Sequence, residues 1–405
     1  MMDLVWSLVK IRCLVVSAAA AAAAIGAGPA SAGGEVVWKN GLRYSSEDGA
    51  HEITLGGRLF NDWVWMDGNG EFDAAFGNLE DGTEMRAARL CVSGTLWESV
   101  VFKERLEFAG GEVAFTDAWV GVTGVPGAGT IRAGLMREPS GLRTSSKHLT
   151  FLERSIAEAL ARPRNTGVLS TDTAAGGRVQ WAAGVFRSSG TDGEHTGDGE
   201  YAISGRITGL PRYSRDGRGL IHVGVSGGRA AADGDRVRFS ERPGAHLAPK
   251  LVDTGDIAAD AYRVVGWEAG LVEGPLFAQA EALHASVDRI GGEDPAFAGW
   301  SVEASVFLTG EHRSYDKAAG VFGRVVPRRN FDSRSGGAGA FEAAVRVSRL
   351  DLDDAGVWGG VLTDVTLGLN WYLNPNARVM ANLVRARVDG AGAAVIGQAR
   401  LQVDF

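Results

Sequence analysis

Four basic residues stand out in this 405-residue chain because of what flanks them. Arg89 is out of phase with Leu90 and Val92, Lys103 and Arg105 alternate with Phe102, Leu106 and Phe108, and Arg346 sits between Val345 and Val347. A two-residue period sends successive side chains to opposite faces of a strand, so each cation lies on one face and its apolar neighbours on the other. Such strands set side by side collect guanidinium and ammonium groups on one surface, and that chemistry attracts anions. A narrow tube would focus the field further. Glu104, Glu107, Glu303 and Glu342 supply the competing account, in which the same cations are neutralised in ion-pair ladders along a wall. Net charge is −8, from Lys+Arg 41 against Asp+Glu 49. Nearly all the cations are arginine, which favours placed guanidinium groups over a diffuse basic surface.

Other reactive patterns are weak. Asp67-Gly68-Asn69-Gly70-Glu71-Phe72-Asp73 spaces its oxygens like a calcium loop. Phe72, however, stands where the EF-hand needs glycine and Asn78 where it needs the bidentate glutamate, so an acidic exterior loop fits better. His51, His148, His195 and His284 lack metal-ligand spacing. A hydrolase needs a nucleophile, a histidine and a third orienting group, and only His148 near Ser145 and Ser146 approaches that. No glycine-rich strand-to-helix turn suggests a nucleotide, and no basic-aromatic stripe suggests nucleic acid. The expectation is a chain with no cofactor, no metal, no nucleic-acid partner and no enzymatic activity.

The elements that would position the cations are strands. Alternation broken by Gly, Asp, Asn and Pro clusters marks roughly 52–65, 84–96, 100–109, 113–123, 129–136, 166–173, 178–187, 200–209, 219–229, 261–272, 275–287, 298–309, 339–350, 361–372, 377–388 and 394–405. That is an even number of segments near the ~9–11 residues a tilted membrane strand needs. Short connections (Trp97-Glu98-Ser99, Glu273-Gly274, Leu373-Asn374-Pro375-Asn376) alternate with long ones (67–83, 137–165, 188–199, 230–260, 351–360), which puts the short turns on the periplasmic side. In the last strand Gln398, Arg400, Gln402 and Asp404 share one face, while Val395, Ala399, Leu401, Val403 and terminal Phe405 share the other. A wall between lipid and a wet interior needs that split, with all backbone groups paired in a closed barrel. A soluble sandwich strand would show it too.

Two connections carry extra signal. Within 137–165, Leu149, Leu152, Ile156 and Leu160 recur at helical spacing and predict a loop helix over Leu149–Ala161. The segment 310–338, with Glu311 to Lys317 and then Arg324, Arg328 and Arg329, is long although parity places it among the short turns. Both are expected to fold into the lumen. At the start, Lys10 and Arg12 precede an apolar run from Leu14 to Ala24 and the triplet Ala30-Ser31-Ala32, the form of a secretory signal cut after Ala32. The expected organisation is a signal peptide at 1–32, a periplasmic segment at 33–50 and a barrel at 51–405. Cys13 would leave with the signal, so Cys91 could form no intrachain disulfide.

Several stretches also resemble a known family. They are Arg86-Ala87-Ala88-Arg89-Leu90-Cys91-Val92-Ser93-Gly94-Thr95-Leu96, Thr116-Asp117-Ala118-Trp119-Val120-Gly121, Arg137-Glu138-Pro139-Ser140-Gly141-Leu142, Thr144-Ser145-Ser146-Lys147, Thr150-Phe151-Leu152-Glu153-Arg154, Gly323-Arg324-Val325-Val326-Pro327-Arg328-Arg329-Asn330-Phe331 and Leu367-Gly368-Leu369-Asn370-Trp371-Tyr372-Leu373-Asn374-Pro375. In this order they are similar to the phosphate-selective porins O and P. The resemblance implies an all-β, sixteen-stranded antiparallel outer-membrane barrel, a homotrimer in lipid, with an inward constriction loop and an anion site at Ser145, Ser146, Arg154 and Asp117. Arg154 would hold a phosphate oxygen through forked N–H donors, the two hydroxyls would donate, and Asp117 would accept from the ligand's own P–OH.

Each assignment has a structural alternative: Arg154 pairing with Glu158 at i,i+4, Ser145 and Ser146 capping the loop helix, Asp117 balancing a wall arginine. Arg89, Lys103, Arg105 and Arg346 would line the approach, and Phe405 would be the handle for the barrel-assembly machinery. Lysine is sparse after the signal (Lys39, Lys103, Lys147, Lys250, Lys317), and Leu142 stands where a further cation was expected. Phosphate, pyrophosphate, polyphosphate and a general anion preference all fit. A weakly selective porin, a barrel hydrolase and a plugged adhesion barrel are the competing functions.

Overall fold

The computed structural model describes residues 33–142, 144–190, 193–194, 196–197 and 199–405. The expected signal peptide and His195 lie outside them. Alternating sequence builds alternating strands, and all sixteen form: β1 (Glu52–Gly68), β2 (Gly82–Leu96), β3 (Val100–Glu107), β4 (Ala114–Val125), β5 (Gly129–Arg137), β6 (Arg164–Ala174), β7 (Val179–Arg187), β8 (Tyr201–Tyr213), β9 (Gly219–Ala231), β10 (Ile257–Glu273), β11 (Leu276–Arg289), β12 (Ala296–Phe307), β13 (Ala340–Asp354), β14 (Val357–Asn374), β15 (Ala377–Val388) and β16 (Gly392–Asp404). Neighbours pair antiparallel, and β16 returns to β1 with Ala394 opposite Gly68 and Asp404 opposite Arg58, so the sheet closes. Closure leaves no edge, as a wall in lipid requires. Phe405 completes the seam by exchanging backbone hydrogen bonds with Gly57. A Cβ at Gly57 would lie 2.7 Å from the Phe405 ring, so only glycine lets the strands meet there.

Burial follows the period. On β16, Val395, Leu401 and Val403 are 47–49% exposed, whereas Gln398, Arg400, Gln402 and Asp404 are 1–3% exposed. The polar face therefore lies inside a filled barrel and the apolar face outside. Among the described residues no helix is long and apolar enough to cross a membrane.

Three details differ from expectation. Residues 351–360 are not a long loop: β13 and β14 extend across them and leave only a tight turn at 355–356. Leu149–Ala161 is not an α-helix: within it only Ile156–Leu160 forms a 3-10 turn, and a second such turn, Ser146–His148, precedes it. The helical spacing is real, since Leu152, Ile156 and Leu160 are buried, but side chains of the wall take the loop carbonyls that a helix would use itself. The segment 33–50 forms a hairpin, Gly34–Trp38 against Leu42–Ser46, that pairs onto β1. The calcium-like stretch is a short helix, Gly70–Phe76, whose N-cap Asn69 accepts from the Phe72 N–H.

Candidate functional site

The loop between β5 and β6 divides the lumen. Its two ends are clipped where Glu138 accepts from Arg162 (3.0 and 2.8 Å) and from Asn165 (2.6 Å). It then crosses to the far wall, where the Gly141 N–H donates to Ser226 Oγ (3.0 Å) and the Leu142 N–H to Glu281 Oε1 (2.6 Å). Gly141 has φ +68, and a Cβ there would run into Glu281, so the crossing depends on glycine. Leu142, the position where a cation was expected, is instead an apolar anchor packed with Leu220 and Phe277.

From Lys147 to Glu153 the loop runs along β13 to β16 with its carbonyls held in sequence. Gln402 donates to Lys147 O (2.9 Å), Arg313 to His148 O (2.9 Å), Arg378 to Leu149 O (2.7 Å), Asn370 to Thr150 O (2.8 Å), Arg400 to Leu152 O (2.7 Å) and Arg346 to Glu153 O (2.9 Å). Charge-assisted donors to carbonyls inside a low-dielectric barrel are the stronger class of hydrogen bond. This side of the pore is therefore sealed, and the loop is held as a fixed partition. Sequence reasoning did not single out this tether. The inward phase of Arg378 and Arg400 on their strands was the available signal, but not their targets.

The other side stays open as a cavity of about 700 Å³, lined by Arg58 of β1, Arg86 and Arg89 of β2, Lys103 and Arg105 of β3, Asp117 of β4, Arg137 of β5, Arg164 of β6 and loop residues 144–149 and 152–154. Seven of the eight site residues named from sequence meet here; Arg346 does not. Arg346 faces inward as its alternation requires, but it is 3% exposed, lies over the Phe151 ring and is covered by the loop. Its role is in the tether, opposite Glu303 in the register.

Within the cavity, Asp117 is shared by Arg105 (2.8 Å), Arg164 (3.5 Å) and Lys103 (3.6 Å). One carboxylate among three cations leaves the spot positive. Across from it Arg58, 5% exposed, donates to Ser146 Oγ (2.6 Å). Ser145 makes no capping bond to the 3-10 turn and borders the cavity. Arg89 pairs with Glu107, so the wall ladder accounts for that cation. Arg154 borders the cavity while its guanidinium binds Glu158 (3.1 Å) and Thr144 O (2.6 Å), the i,i+4 alternative together with a bond that braces the loop. Arg58, Arg86 and Arg164 were missed. Arg58 was legible, since it alternates with Leu59 on β1, whereas Arg86 precedes an irregular register and Arg164 opens its strand.

Charges on the loop are settled by their surroundings. Burial alone would raise the Glu153 pKa, but Arg86 and Arg400 outweigh it and hold the carboxyl down to about 2. Burial, with Arg324, Lys147, Arg378 and Arg313 nearby, pushes His148 down to about 2, so its imidazole is neutral. Its Nε2 has no hydrogen-bond partner, an arrangement unlike a hydrolase base held by a third group. Among the described residues no cluster of His, Cys, Asp or Glu could hold a metal.

The insertion 308–339 folds into the lumen, as expected, from the end opposite the 232–256 segment. Arg313 binds Glu342 (2.7 Å), Tyr315 OH meets His222 Nδ1 (2.7 Å), and Arg206 donates to Gly320 O (2.8 Å), which seats the hairpin tip at the cavity floor. Arg324 is bound to Asp404, while Arg328 and Arg329 are exposed outside the cavity. From above, the 232–256 segment also turns inward, the Gly244 N–H donating to Asp364 (2.7 Å). Arg236 and Arg238 stay out with Asp253 and Asp256.

Comparison with known proteins agrees with this architecture. The chain is 26% identical over 398 residues to Porin O of Pseudomonas aeruginosa, covering 87% of this chain and 86% of that one. It is 29% identical over 349 residues to an uncharacterized protein of Caulobacter vibrioides, covering 82% and 67%. Among solved structures, an anion-selective porin from Comamonas acidovorans superposes with TM-score 0.56 at 14% identity, covering 88% of this chain and 100% of that one. The trimer form of OmpT from Vibrio cholerae gives 0.53 at 13%, with the same coverage. These two show the fold alone. The family described as phosphate-selective porin O and P matches residues 62–405, and with that match over a closed, cation-lined barrel the chain belongs to this family of outer-membrane porins.

Proposed function

We propose that the protein is an anion-selective diffusion channel whose open half-lumen accepts phosphate or pyrophosphate. The observation that carries this is the shared cavity in which Arg105, Lys103 and Arg164 surround Asp117 while Arg58 and Ser146 face it. The cations attract the anion, the Ser145 and Ser146 hydroxyls donate to its oxygens, and Asp117 accepts from P–OH, which chloride cannot offer. Arg154 acts by bracing the loop, and Arg89 is balanced by Glu107 in the wall. Each contact is individually modest, which suits a site that must release what it binds. The assembly proposed is a homotrimer in outer-membrane lipid, exported by residues 1–32 and delivered to the barrel-assembly machinery through Phe405.

The test is planar-bilayer conductance in chloride with phosphate added. Phosphate blocks chloride current in the parent, and Arg58→Ala and Arg154→Ala both weaken the block. Block in none of the three, with reversal potentials that barely favour anions, replaces this reading with a general porin.

A further inference from the structure

The outward face of the barrel changes character sharply near its extracellular rim. On β13 the outward residues run Phe341, Ala343, Val345 and Val347, then Arg349. On β15 they run Val379, Ala381 and Leu383, then Arg385 and Arg387. At the lower margin Phe341 stacks on Trp371 with centroids 5.8 Å apart, an aromatic pair of the kind that marks a membrane interface. Arg349 and Arg387 both lie opposite Thr363 in the register and so form one row. On the neighbouring face Arg229 of β9 is directly opposite Arg263 of β10, each beyond the apolar series Ile221 to Val225 and Leu271 to Val265.

All four arginines lie beyond the apolar series of their strands, toward the same end of the barrel. Each is eight residues along its strand from the lower apolar margin (Phe341, Val379, Ile221 and Leu271). At ~3.3 Å per residue and a tilt near 40° that is about 20 Å, close to the ~25 Å apolar band of such barrels. The head-group phosphates of the outer leaflet lie at that level. The side chains point at lipid rather than at the channel: Arg229 is 58% exposed, Arg263 54% and Arg387 67%.

Their carboxylates are too few. Arg229 and Arg263 share one, Asp288, at 3.5 and 3.1 Å. Arg349 and Arg387 share Asp389 at 3.5 and 4.0 Å and Arg349 also reaches Asp351 at 3.8 Å, while Arg385 has no ion-pair partner among the described residues. Like charges directly opposite on an exposed sheet face repel. An anion supplied from outside removes that repulsion.

We propose that these two arginine patches bind the phosphates of lipid A, the phosphorylated glucosamine lipid of the outer leaflet. Each guanidinium can take a phosphate oxygen pair in a forked contact. This site is separate from the channel and independent of what the channel conducts.

The test measures binding of fluorescently labelled bisphosphorylated lipid A to the purified full-length protein in detergent, with chelator present. Arg229→Gln/Arg263→Gln and Arg349→Gln/Arg387→Gln are compared with the parent. Lipid A affinity falls about fivefold for each arginine removed, dephosphorylated lipid A binds the parent weakly, and chloride conductance is unchanged in every variant, which shows that the barrels are folded. Equal binding by parent and variants overturns the proposal. Equal binding of dephosphorylated lipid A, loss of parent binding in chelator, or full displacement by millimolar inorganic phosphate overturns it as well. Those outcomes assign the affinity to acyl chains, to metal bridged by the aspartates, or to a free-anion site.

Discussion

Arg400→Met tests whether the constriction is set by the wall behind the loop. Arg400 is 1% exposed, binds both oxygens of Asp62 at 2.7 Å, and holds Leu152 O at 2.7 Å and Glu153 at 3.0 Å. Removing it leaves Asp62, 2% exposed, as a buried charge without its bidentate partner, a change that costs about 3–5 kcal/mol. The loop loses its charge-assisted bond at Leu152 O, about 1.5–3 kcal/mol, while Glu153 keeps Arg86, and the population of the detached loop rises roughly tenfold to a hundredfold. Asp62→Asn/Arg400→Met removes the orphan charge and so recovers part of the stability, but it leaves the loop untethered. The assay is single-channel recording with phosphate added, beside the temperature at which the barrel unfolds in detergent. Both variants show noisier, larger currents and weaker phosphate block, and only the single variant shows the full loss of thermal stability. Parent-like conductance, noise and block in Arg400→Met would falsify the partition argument.

The remaining predictions concern other joints of the lumen. Burial, reinforced by Glu158, Glu153 and Asp364, raises the Glu241 carboxyl to about 7, so the folded protein holds that proton more tightly than the unfolded chain. This stabilisation is complete below about pH 4.5 and is lost as pH rises through 7. Glu241→Gln therefore raises the unfolding temperature at pH 8 more than at pH 5, and an equal shift at both refutes it. Gly141→Ala forces a side chain into a φ of +68 against Glu281 and destabilises by about 1–3 kcal/mol. Denaturation midpoints measure that loss, and altered conductance shows that the crossing has moved. Because His148 is held down to about 2 and Glu153 likewise, neither of these two groups changes charge across neutral pH. His148→Gln therefore leaves the pH profile of phosphate block unmoved; a shifted midpoint in the variant would contradict this.

The sequence by itself determined the wall. A two-residue period broken by turn residues gives strands with one polar and one apolar face, and every expected strand forms; closure of the sheet is what turns the polar face inward. The inward folding of 137–165 and 310–338 was also legible, because long segments carrying apolar stripes and arginines need something to pack against. Arg89, Lys103 and Arg105 reach the cavity because alternation decides which face a side chain takes, whereas Asp117, Ser145, Ser146 and Arg154 were indicated by the family resemblance alone. Alternation says nothing about what a side chain meets across a sixteen-strand lumen, and there the tertiary structure decided. It turned Arg154 onto Glu158, placed Arg346 behind the loop, and replaced the expected loop helix with an extended run whose carbonyls are taken by side chains more than a hundred residues distant. A helix satisfies its carbonyls from within, so its spacing can be read locally; a loop held by arginines from the opposite wall cannot, since its hydrogen-bond partners exist only once the barrel has closed.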